Sequence, residues 1–121
     1  MRSAAQAYGS VATKVASPRK LEADLLLKAA SRLQAVQDGW DQTKPQLDEA
    51  LLYNRKLWTI FLTSMTAEDN QLPIEIRENV ATLGVFVMRQ TIAMLATPKP
   101  ELLSPLININ RELAAGLGTG G

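Results

Sequence analysis

Residues 73–95, PIEIRENVATLGVFVMRQTIAML, decide the fold. Ile76, Val80, Leu83, Gly84, Val87, Thr91 and Met94 recur at three- and four-residue spacing, which puts them on one face of an α-helix. Ile74, Ala81, Val85, Met88, Ile92 and Leu95 form an adjoining face. Together the two faces cover about 200 degrees of the circumference at 3.6 residues per turn. A helix of this kind packs on two sides: either it is central to a bundle, or one of its faces waits for a partner. Gly84 costs about 1 kcal/mol in helix propensity, so its expected use is to let another backbone come close.

Working outward, proline and polar clusters cut the rest of the chain into further helical blocks. Ser17 and Pro18 read as an N-cap followed by proline at the first helical position, opening a helix to about Gln37 with Gly39 as its stop. Thr43 and Gln46 have capping-box spacing, opening a second long helix to about Ala67. Ser104 and Pro105 repeat the cap signal for a short final helix closed by Gly116. Residues 3–16 carry Ala4, Val11 and Val15 on one face around Gly9, a marginal helix that needs docking to order. No segment alternates β-branched residues with period two. The expected fold is all-α, a single-domain helical bundle of three long helices plus shorter N- and C-terminal helices. The domain spans 1–115, and 116–121, with four glycines in six residues, is expected to be a disordered tail.

Each block has an apolar side. Leu21, Leu25, Leu26, Ala29, Leu33, Val36 and Trp40 share one stripe, and Leu47, Ala50, Leu51, Leu57, Trp58, Phe61, Leu62 and Met65 share another. Leu102, Leu106, Ile109, Leu113 and Leu117 line the last helix. Asn54 and Asn110 fall inside these apolar arcs, where an unpaired amide costs about 1–3 kcal/mol. They either fix register or cap a neighbouring loop such as the 70–73 turn, or they contact a ligand.

Composition limits the chemistry. The 121 residues include no histidine and no cysteine, which removes the usual general base, nucleophile and transition-metal ligands and favours binding over catalysis. There is no Gly-rich phosphate loop and no metal-ligand spacing, so no catalytic residue, cofactor or metal is expected. Acidic neighbours such as Asp48 with Glu49 and Glu68 with Asp69 read as solvated carboxylates or helix-dipole partners. Thirteen basic and twelve acidic side chains nearly cancel, without the basic clustering that direct DNA binding requires. Neither an export signal nor an uninterrupted apolar run of about 20 residues is visible, so the expectation is a cytoplasmic protein away from the membrane.

Three apolar side chains fall off the core faces. Phe86 projects between Thr82 and Gln90, and Tyr53 and Ile60 lie seven residues apart on one line. Two readings stand: ordinary incomplete segregation or burial under the first helix, or a groove of Tyr53, Ile60 and Phe86 that receives an apolar helix of another protein.

The order of residues along the chain resembles the FlaF family of flagellar biosynthesis proteins from alphaproteobacteria. It runs through Tyr8, Ser17-Pro18-Arg19 with Glu22, Ala50-Leu51, Asn54, Leu57-Trp58 and Asn70-Gln71-Leu72-Pro73. It continues with Leu83-Gly84-Val85-Phe86-Val87, Arg89, Thr91, Leu106-Ile107-Asn108-Ile109-Asn110-Arg111 and Gly116-Leu117. No short motif is diagnostic; order and spacing carry the likeness. The resemblance implies a cytoplasmic protein needed for flagellin synthesis and export. Its role would be that of a secretion chaperone or regulator covering an apolar helical segment of flagellin, alongside an FlbT-like translational regulator. The alternative is a post-transcriptional regulator acting through that partner or the flagellin mRNA without binding flagellin. A homodimer through the wide apolar helix is a third reading.

Overall fold

A computed structural model describes residues 18–120. Helix α1 spans Pro18–Asp38, the single turn α2 Trp40–Thr43, α3 Leu47–Thr66, α4 Ile74–Ala96 and α5 Ser104–Gly120. Short 3₁₀ turns, Lys44–Gln46 and Pro100–Leu103, lead into α3 and α5. The described residues are all-α. They contain four long helices rather than three, because the C-terminal helix expected to be short runs for 17 residues. The helix expected at 3–16 and the Ser17 cap lie outside the described residues.

The four long helices run up-down-up-down, as side-chain pairings fix. Gln37 near the end of α1 donates to the Pro100 carbonyl and the Ser104 hydroxyl at 2.9 Å, while Gly118 at the far end of α5 faces Ala23. Those two helices are therefore antiparallel. Arg77 in the first turns of α4 donates to the carbonyls of Met65 (2.8 Å) and Ala67 (3.2 Å) at the end of α3, which makes α3 and α4 a hairpin. Its guanidinium satisfies carbonyls that a helix C-terminus leaves without intrahelical partners. Arg32 of α1 lies over the Tyr53 ring of α3, and Leu25 shares a cleft with Ile60, so α1 and α3 also run in opposite directions.

Local caps differ from the sequence expectation. The Thr43 hydroxyl does not cap α3; it donates backward to the carbonyls of Val36 and Gly39 at 2.9 Å, holding the α1–α2 corner. The intervening 3₁₀ turn has already supplied the entry into α3, so the capping box is not formed. Ser104 likewise accepts the bond from Gln37 and begins α5 as a helical residue. Gly116, expected as the stop, lies inside α5, which continues to Gly120 through most of the expected disordered tail. No described glycine has the left-handed conformation of a helix C-cap. Instead Leu117 packs on the core and Gly118 faces Ala23, where an added Cβ would make only ordinary van der Waals contact at 3.9 Å.

The core on α3 matches the sequence stripe: Leu47, Ala50, Leu51, Leu57, Trp58, Phe61 and Met65 are buried, with Leu62 half-buried. On α1 the stripe is shifted. Ala23 and Ala30 are buried beside Leu26, Ala29, Leu33 and Val36, whereas Leu21 and Leu25 stay exposed. On α5, Leu106, Ile107, Asn110 and Ala114 are buried, and Ile109, Leu113 and Leu117 are only half so. Small residues on the facing sides of α1 and α5 draw these two helices together, turning α5 away from the face its leucines alone suggest.

Gly84 has a different use from the one expected. It admits not a backbone but the Leu62 side chain of α3, whose Cγ would lie 2.9 Å from an added Cβ. Alanine would gain about 1 kcal/mol of helix propensity, but its Cβ would overlap both Cγ and a methyl of Leu62, so that half-buried side chain must move as a whole and Gly84→Ala should destabilise the fold by about 1 kcal/mol. Valine cannot be accommodated by that shift, and Gly84→Val should destabilise the fold by about 1–3 kcal/mol in urea unfolding. Equal stability of the two variants would contradict the Leu62–Gly84 contact.

Candidate partner-binding surface

Helix α4 turns one side to the bundle and leaves another open. Val80, Gly84, Val87, Thr91 and Met94 are buried. About a quarter-turn away lie Ile74, Ala81, Val85, Met88, Ile92 and Leu95, separated by seven, four, three, four and three residues. That is the heptad spacing of a seam built to meet a second helix. Ile74 is 64%, Val85 49%, Ile92 66% and Leu95 49% exposed, while Ala81 and Met88 between them are half-buried. The exposed positions, Ile74, Val85, Ile92 and Leu95, are therefore spread over nearly the full length of α4, while Met88 between them packs against the core. By length and composition α4 also reaches what is needed to cross a membrane, and only 28% of its most apolar window is buried. The sequence reading, which looked for an uninterrupted apolar run, did not register this.

The three off-core side chains are not gathered into one groove. Tyr53 is half-buried against α1, beneath the Arg32 guanidinium (4.4 Å from the ring centroid) and the Lys28 ammonium (6.0 Å). Cation–π attraction of this kind uses its face within the fold. Ile60 is exposed on the wall of a cleft of about 720 Å³ between α1 and α3, which neither Tyr53 nor Phe86 lines. Phe86 is 43% exposed on α4, off the heptad line.

Asn54 and Asn110 are fully buried and bonded to each other. The tryptophan indole is a donor only, and Trp58 Nε1 donates to Asn110 Oδ1 at 2.9 Å, which fixes the Asn110 amide. Asn110 Nδ2 then donates to Asn54 Oδ1 at 2.6 Å, and Asn54 Nδ2 is left buried without a partner. The pair spans α3 and α5 and sets their relative register. It does not cap the 70–73 turn: Asn70 holds that turn itself, donating to the Ser64 carbonyl and accepting from the Leu72 amide. Sequence reading placed both asparagines inside but did not see Trp58 as the donor that orients them. Among the described residues no three acidic side chains gather as a metal site.

The described residues thus define a small helical bundle with one open apolar helix face. The family model for the flagellar protein FlaF matches residues 4–117, and the chain belongs to that family. The FlaF family is one of flagellar regulatory proteins and is not known for enzymatic activity. No curated protein and no solved structure matches the chain.

Proposed function

We propose that this protein binds flagellin in the cytoplasm, covering an apolar helical segment of it along the open α4 line until export. The single observation that carries this reading is the heptad line of α4, on which Ile74, Val85, Ile92 and Leu95 stay exposed. Flagellin's terminal segments pair as helices in the filament and, unpaired, expose the same kind of apolar seam. A helix lying on α4 would exchange one helical partner for another, stabilising the soluble monomer by mass action. Membership in a flagellar family supports flagellin as the client. Regulation follows if occupancy of α4 alters access of an FlbT-like translational regulator.

Tyr53 contributes to this surface only indirectly, by holding α1 on α3, and Phe86 lies off the α4 line. The reading is tested by calorimetric titration with full-length flagellin and with flagellin lacking its terminal segments. Binding of the first and not the second is the expected result. Absence of binding to either would leave regulation through mRNA or an FlbT-like protein in its place.

A further inference from the structure

We propose that a second copy of this chain pairs with the α4 line in the antiparallel sense, so that the free protein is a dimer in which this surface is withheld. The inference rests on the flagellin reading only in that a client uses the same line. Three charged side chains decide the occupant. Glu78 falls within the heptad line, four residues after Ile74 and three before Ala81. Glu75 and Arg89, two heptads apart, lie together along its outer edge. All three are exposed, and none forms an ion pair with a described residue. A partner helix must therefore bring a cation to Glu75 and Glu78 and an anion to Arg89, because a carboxylate covered without compensation is costly.

Reversing the helix supplies both charges. Glu78 and Arg89 are separated by about 16 Å along α4, and a copy running the opposite way presents the same spacing with the signs exchanged. With Val85 set against the second copy's Ala81, Ile92 meets its Ile74, and Glu75 and Glu78 meet its Arg89. The two-fold axis repeats every one of these contacts. Ile74, Val85 and Ile92, which this register brings together, are all exposed in the single chain. A parallel pair would instead set the two Glu78 carboxylates against each other in the seam and the two Arg89 guanidinium groups along its edge, and like charges so placed disfavour it. Arg77, on the inner edge, is already committed to the carbonyls of Met65 and Ala67, so the outer edge carries the selection.

Sedimentation of the full chain without flagellin, over about 5 to 500 µM, tests the pairing apart from client binding, because protomer concentration alone drives it. Wild type should pass from monomer to dimer across that range, and Arg89→Glu should raise the dissociation constant about tenfold or more. Glu75→Arg with Glu78→Arg should do the same. Mixing the two variants should restore the dimer, since each then offers the charge the other lacks. Circular dichroism of each variant should match wild type, as all three positions are exposed. A monomer at every concentration, a dimer indifferent to these charges, or a mixture no more associated than its components would overturn the proposal. A monomeric wild type that binds flagellin removes the dimer alone, and a charge-sensitive dimer that ignores flagellin removes the client reading alone.

Discussion

Asn110→Leu should lower the free energy of unfolding by about 2–5 kcal/mol, whereas Asn54→Leu should change it by less than about 1 kcal/mol. The side chains are similar in size, so the contrast comes from hydrogen bonding. Removing the Asn110 amide strands two buried groups at once, the Trp58 Nε1 donor and the Asn54 Oδ1 acceptor. Each costs about 1–3 kcal/mol when buried and unpaired. Removing Asn54 strands only Asn110 Nδ2, and it also eliminates Asn54 Nδ2, which already lacks a partner. The two effects offset. Against a total stability of about 5–15 kcal/mol, the Asn110 loss is large enough to shift the urea midpoint plainly. Equal losses from the two substitutions would contradict the bonding order Trp58–Asn110–Asn54.

The second large effect is on binding. Val85→Glu with Ile92→Glu places two carboxylates on the open α4 line and should weaken flagellin binding by about 2–4 kcal/mol, roughly 30- to 700-fold. A central interface anchor contributes about 2 kcal/mol or more when truncated, and a carboxylate buried against an apolar helix adds desolvation cost. Folding should be unaffected within about 0.5 kcal/mol, because both side chains are exposed and neither meets the core. A single charge at the exposed Ile60, Ile60→Glu, should leave flagellin affinity within about threefold, since that residue lies on the α1–α3 side. A large loss there and none on α4 would move the client to the other face.

Periodicity was sufficient to place the α3 stripe, to bury Asn54 and Asn110, and to separate the two faces of α4. These depend on local spacing, which a helix converts directly into a face. What spacing does not encode is the neighbour. Gly84 reads as a close approach, but only the folded chain identifies its visitor as Leu62. The hydroxyls of Thr43 and Ser104 read as caps, yet nearby carbonyl and amide partners reached by the fold take them instead. Alanines at 23, 30 and 114 carry little hydrophobic signal, although they set how closely α1 and α5 pack and so which side of α5 is buried. The open line on α4 was legible as a second apolar face. The groove expected from Tyr53, Ile60 and Phe86 joined two residues of α3 to one of α4, and spacing did not encode that α1 would cover Tyr53 or that neither Tyr53 nor Phe86 would line the cleft beside Ile60.

The central claim is that α4 receives an apolar helix of flagellin. Its most direct test is isothermal titration of the wild-type and Val85→Glu/Ile92→Glu proteins against full-length and terminally truncated flagellin, with lipid vesicles as a parallel ligand. Binding of wild type to full-length flagellin alone, lost in the double variant, is the predicted result. Undiminished binding by the double variant, or binding to vesicles in place of flagellin, would contradict it.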